Sequence, residues 1–196
     1  MSLAGNLLNK ALAVTEFWLV YVLAKIFGMS MAVRYLRNPN PRVTVRLLCA
    51  FGATIGEGTT FKRSVFVDNS YEDEHSAGDF RYIKIGKNCY IGDCVYFDLA
   101  NEVVLDDNVV ISGQVSFVTH ADCNRSKYLE QLFPRRCQLI HVDEGAWIGF
   151  GATLLSGVTV GNHAVIAAHS LLRDDAEVKS LYGGAPAKKL KSLENR

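Results

Sequence analysis

Five histidines, at positions 75, 120, 141, 163 and 169, and five cysteines, at 49, 89, 94, 123 and 137, carry the widest chemical reach in this chain. The cysteine count is odd and contains no Cys-x-x-Cys, so neither a disulfide framework nor a zinc motif is implied. Unpaired thiols suit a reducing, cytoplasmic compartment. Among the histidines, His120 stands apart by position. It follows Phe117-Val118-Thr119 and precedes Ala121-Asp122, where a regular apolar pattern stops and a long irregular segment begins. An imidazole with an ordinary pKa near 6.5 can take a proton from a hydroxyl at neutral pH without being permanently charged. The plainer reading is a surface-loop histidine with no role. His75 lies in an acidic stretch and reads as a solvated side chain.

The element that must position His120 is written in a six-residue beat. Apolar residues fall at Val142, Ile148, Leu154, Val160, Ile166 and Leu172, and upstream at Ile85, Ile91, Phe97 and Val103. After a slip of two residues the beat resumes at Leu105, Ile111 and Phe117. Small or β-branched residues recur four places after the apolar one, as at Ala146, Ala152, Val158 and Ala164. A period of six fits neither a helix nor a hairpin meander; it is the signature of a parallel β-helix with three hexapeptides per triangular coil. Residues 18 apart should then stack one strand spacing apart, roughly 4.8 Å. One coil cannot bury its own inward residues, so several must stack. Ile55-Gly56, Phe61 and Val67 place the first coil near residue 50.

The first 37 residues carry no such beat and no proline, and their Leu, Ala, Val, Phe and Met content reads as helix, broken near Gly28. Asn38-Pro39-Asn40-Pro41 is expected to end the helix as a linker. This divides the chain into a helical extension (1–41), a β-helix domain (42–191) and a short tail (192–196). Loop insertions are expected near 68–82 and 119–141, extruded at corners of the solenoid where binding faces are often built. The segment 11–33 is long enough to span a bilayer, but Glu16 and Lys25 lie inside it, each costing about 2.5–3.5 kcal/mol near a membrane centre. A secretory signal is also poorly matched. The favoured expectation is a packing arm on the β-helix; a peripheral membrane anchor is the alternative. A net charge of +1 without a polybasic run gives no reason to invoke nucleic acid.

The tract Glu144-Gly145-Ala146-Trp147-Ile148-Gly149-Phe150-Gly151-Ala152-Thr153, with Leu155-Ser156-Gly157-Val158-Thr159-Val160-Gly161 and the ending Gly183-Gly184-Ala185-Pro186-Ala187-Lys188, resembles the left-handed β-helix acyltransferases. Within them it is similar to the maltose and galactoside O-acetyltransferases and the colanic acid acetyltransferases. The resemblance covers about residues 50–191. It implies an all-β, left-handed parallel β-helix, a homotrimer, and acetyl-CoA as co-substrate in a groove between subunits, with no metal required. It makes His120 the catalytic base. Asp98 matches a position that contacts the acceptor hydroxyl or orients the base, although a corner aspartate making a turn is nearly as good a reading; Asp122 is a second candidate. Trp147, Gly149, Phe150 and Ala168 fall along the expected CoA arm, with a backbone N–H near Gly149 or Phe150 as oxyanion donor. Arg173, Lys188 and Lys191 match basic positions that would neutralise its phosphates; ordinary solvated charge is the plainer reading. His169 stands where the family usually has Gly, and the histidine spacings do not reproduce the zinc set of the β-helical carbonic anhydrases.

The function so implied is O-acetyl transfer from acetyl-CoA to a hydroxyl of a saccharide or polysaccharide precursor. An N-acyltransferase acting on a nucleotide-sugar amine, an antibiotic hydroxyl acetyltransferase and a non-catalytic scaffold are the rivals.

Overall fold

The computed structural model describes residues 3–123 and 125–194. Three helices lead: α1 (Leu3–Phe27), α2 (Ser30–Leu36) and α3 (Pro41–Ala50). The break at Gly28 is where the sequence places it; its φ of 94° is left-handed backbone that favours glycine. The expected break is present, α2 ending at Leu36 and residues 38–40 being non-helical, but the helical segment does not stop at residue 41. Pro41 opens α3 rather than ending a helix. Asn40 caps it, its side-chain oxygen accepting from the Arg42 N–H at 3.1 Å, and proline at the first helical position loses only a donor that would have no partner there. The helical extension therefore runs to Ala50, and α3 packs over the first coil as a lid on the prism.

One face of α1, Ala13, Phe17, Val20 and Ala24, buries against Ala32, Val33 and Leu36 of α2 and Val43, Leu47 and Leu48 of α3. The spacing of 4, 3 and 4 keeps these four side chains on one side of the helix. Through this face the segment packs on its own protein. No helix among the described residues is long and apolar enough to cross a membrane.

From Thr54 the chain winds as a left-handed parallel β-helix with three parallel sheets as the prism faces. The second face shows the register: Phe61, Ile91, Ile111, Ile148, Ile166 and Tyr182 are Cα partners in succession. Ile148 pairs with Ile166, 18 residues on, and both are fully buried. The two-residue slip is absorbed in the coil where Ile85 pairs with Leu105. Inside the third face the Phe97 and Phe117 rings stack at 5.2 Å. Each small residue of the repeat follows a corner residue held at positive φ: Asn88, Asn108, Gly145 and His163 occupy equivalent corners. The C-terminal end is closed by an antiparallel hairpin, Ser180–Gly184 with Ala187–Ser192, on the edge of the second face.

Candidate active site

Asp98 ends a strand, Val95–Asp98, on the third face, where it is the register partner of Asp68. His120 begins the two-residue strand His120–Ala121, which pairs antiparallel with Arg136–Cys137 at the root of the long insertion. The structure brings these two residues together. His120 Nδ1 lies 2.6 Å from Asp98 Oδ2, with Asp98 1% and the imidazole 25% exposed. The Asp98 carboxylate is caged by donors. The side-chain amide of Asn69 donates to Oδ1 at 2.8 Å and the Ala100 N–H at 3.2 Å; the main-chain N–H groups of Thr119 and His120 donate to Oδ2 at 2.8 and 3.0 Å. Burial, the largest influence, pushes this carboxyl up. The hydrogen bonds from Asn69 and His120, the charge of His120 and the Ala100 N–H outweigh it and leave it below the usual carboxylate range. An ionised Asp98 can only accept, so the His120 Nδ1 carries the proton and its Nε2 presents a lone pair away from the coil. That arrangement can remove a proton from a hydroxyl and hold the imidazolium that results.

Asp122 is elsewhere engaged: its Oδ2 accepts from Arg135 Nη1 at 2.6 Å, and Asp98 alone holds the imidazole. Arg135 is the residue sequence reasoning missed. Its Nη2 also donates to both oxygens of Asp73, at 2.8 and 2.7 Å, so one guanidinium ties the acidic insertion to the long one. Burial pushes the Asp73 carboxyl up, but the His75 N–H and the Arg135 guanidinium more than offset it and leave it lowered. Nothing in the local sequence announces this pair, because its members lie 62 residues apart. Asn69, held at φ 52°, was likewise unsignalled. The long insertion carries a fourth helix, α4 (Lys127–Leu132), capped by the Ser126 hydroxyl. Beside His120, a recess is lined by Ala121, Cys123, Leu132, Phe133, Pro134 and Arg136.

Trp147 and Phe150 point outward and are half exposed; the indole N–H donates to Ser112 Oγ at 3.1 Å. Gly149 sits where the next coil comes close: a Cβ there would lie 2.6 Å from the Ala168 nitrogen. Its N–H donates to the Ile166 carbonyl at 2.7 Å, so Gly149 is excluded as an oxyanion donor and Phe150 is the amide left of the two. Ala168, Arg173, Lys188 and Lys191 are all exposed. Arg173 and Lys188 flank Asp174, at 3.3 and 4.0 Å. Two of the remaining histidines prove structural. His163 and His169 both sit at φ 55°, the corner positions that Gly145 and Gly151 hold one coil earlier, and the His169 ring lies directly beneath Gly151. Among the described residues one group of three could offer metal ligands, Asp106, His141 and Asp143, but His141 there sits between the two carboxylates with a ring nitrogen toward each, 3.1 and 3.7 Å away.

Comparison with known proteins agrees with this architecture. Residues 140–174 match the bacterial transferase hexapeptide (six repeats) family. The fold superposes on a hexapeptide-repeat containing acetyltransferase of Vibrio cholerae with a TM-score of 0.72 at 20% identity, over 90% of this chain and 93% of that one. It superposes on a galactoside acetyltransferase in complex with coenzyme A with a TM-score of 0.68 at 20% identity, over 83% and 77%. The mitochondrial gamma carbonic anhydrase 2 of Arabidopsis thaliana is 44% identical over 145 residues, covering 68% of this chain and 52% of the relative. The chain thus carries the hexapeptide repeat and the fold of the hexapeptide-repeat acyltransferases, as its motifs suggest. It spans about half the length of the first curated relatives it matches.

Proposed function

We propose that the protein is a CoA-dependent O-acetyltransferase in which His120 is the general base and Asp98 its orienting partner. The observation that carries this reading is the 2.6 Å contact between His120 Nδ1 and a caged, buried carboxylate. Nε2 takes the proton of the acceptor hydroxyl as its oxygen attacks the thioester carbonyl, and Asp98 stabilises the imidazolium so formed. The Phe150 N–H is the candidate donor to the developing oxyanion. His120 then returns the proton to the departing thiolate. No acyl-enzyme is required, because a thioester is already activated.

Outward Trp147 and Phe150 fit the arm of acetyl-CoA, and the exposed Arg173, Lys188 and Lys191 at the C-terminal end offer charge for its phosphates. The galactoside acetyltransferase was solved with coenzyme A and the Vibrio cholerae enzyme with acetyl-CoA, which supports the same co-substrate here. Half-exposed aromatics on a prism face also support a homotrimer with sites between copies. The acceptor class we favour is a saccharide or polysaccharide precursor. The carbonic anhydrase relative raises a hydration reading, but among the described residues no three imidazoles converge.

The test is His120→Ala assayed for CoA release against a panel of mono- and oligosaccharides and nucleotide sugars. The expected loss in kcat is about 10²–10⁴-fold with CoA affinity nearly intact. Turnover near wild type would end the direct-base reading.

A further inference from the structure

Helix α1 has a second apolar face that its own protein leaves bare. Leu8, Leu12, Leu19, Val22 and Ile26 share one side, opposite Phe17 and Ala24, with Trp18 at its edge; these six are 47 to 66% exposed. Single exposed leucines are ordinary, but five apolar side chains on one side of a helix, interrupted by Thr15 whose hydroxyl donates to the Ala11 carbonyl at 3.2 Å, are not. At on the order of 60–100 Å² per side chain this patch reaches a few hundred Å², the size at which surface patches are often functional.

The two charges in the middle of α1 do not interrupt it. Glu16 accepts from the Tyr35 hydroxyl at 2.7 Å and from the Asn40 side-chain amide at 2.9 Å. The Lys25 ammonium sits over the Tyr21 and Phe51 rings at 5.4 and 5.2 Å. Both are turned toward the protein, which removes the cost that argued from sequence against contact with lipid.

The rim of the face is basic. Arg42 borders it beside Leu12 and Leu19, and the Arg46 guanidinium lies 3.9 Å from the Phe17 ring centre and 5.7 Å from that of Trp18. Residues 1–50 hold six basic side chains, Lys10, Lys25, Arg34, Arg37, Arg42 and Arg46, against Glu16 alone. That is net +5 in a chain of net +1, so the remainder is net −4. A second copy meeting this face would bring the same positive charge against it, which like-charge repulsion penalises. An anionic surface meets no such penalty.

We infer that the outward face of α1 docks in the plane of an anionic lipid surface, its apolar stripe among the acyl chains and Arg42 and Arg46 on headgroup phosphates. The docking is independent of the acetyl-transfer reading.

The full chain is sedimented with vesicles of phosphatidylcholine alone and with added phosphatidylglycerol. Binding is expected only to the second, weakening with salt. Leu12→Asp/Leu19→Asp should lose at least about 10-fold in partitioning, since both side chains then resist burial. Arg42→Gln should lose about 5-fold, the value of one basic contact near such a surface. Both variants should keep the wild-type sedimentation coefficient and melting temperature. No binding to the anionic vesicles, equal binding to both vesicles, or binding untouched by the leucine substitutions would each overturn the inference. A leucine variant that changes oligomeric state would overturn it in favour of an interface between copies.

Discussion

Replacing Asp98 with Asn probes the proposed site without changing its shape. The wild-type carboxylate accepts five N–H groups within 3.2 Å, three of them on the oxygen that faces His120. An amide keeps one acceptor oxygen, which the three donors on that side will hold, so the Nδ1 tautomer survives. What disappears is the negative charge beside the imidazolium, together with the oxygen that accepts from Asn69 and Ala100. Two unit charges about 4 Å apart at an effective dielectric of about 20 attract by about 4 kcal/mol; with the imidazole a quarter exposed we take about 2–4 kcal/mol. At 1.36 kcal/mol per decade this is roughly a 30- to 1000-fold loss of kcat. The assay is CoA release at saturating acetyl-CoA across pH. A stability measurement checks the geometry separately. The Asp98 pKa lies below its ordinary 3.8 in the folded state, so its contribution is fully present above about pH 4 and is lost as pH falls through the folded value. The gap between wild type and Asp98→Asn should shrink in the same window. Wild-type kcat in the variant would refute the pairing argument.

Two other substitutions test the frame around the site. Ile148→Asp buries a charge in the inner column between Ile111 and Ile166 and should unfold or precipitate the protein, whereas Ile148→Val should cost only about 0.5–1.5 kcal/mol; a folded, thermally unchanged Asp variant would refute the register. Arg135→Gln leaves Asp73 and Asp122 facing each other without their shared cation, and should cost about 1–3 kcal/mol after allowance for partial exposure. Limited proteolysis within 119–141 should accelerate in that variant; an unchanged cleavage pattern and melting temperature would show that the two insertions are held by other contacts.

The solenoid was legible because a six-residue beat admits one geometry, and the same beat fixed Ile148 over Ile166. The helix α3 was not, because proline marks both a helix stop and a helix start, and Asn40 decides between them only through a hydrogen bond that sequence does not display. For His163 and His169 the sequence spacing already spoke against a zinc set. Read by position, 18 residues after Gly145 and Gly151, they are corner residues in left-handed backbone, and that signal was available. The partnership of Asp98 with His120 was half legible: the two candidates were nameable, while the five-donor cage and the choice of Asp98 over Asp122 depend on coil stacking. Arg135 was invisible because Asp73, the partner that joins the two insertions, belongs to a different loop 62 residues away.

The antiparallel pairing at His120–Ala121 with Arg136–Cys137 fixes more than the start of an arm. Everything between those short strands can lengthen, shorten or change character without shifting the imidazole, because His120 is tied through its own main-chain N–H and its ring to a carboxylate on the previous coil. The acidic insertion likewise departs after Asp68, one rung below Asp98, and rejoins the prism at Ile83. In the proposed enzyme, chemistry and selectivity are therefore separable: the rungs hold the His120–Asp98 pair, and the two arms joined by Arg135 can vary without moving it.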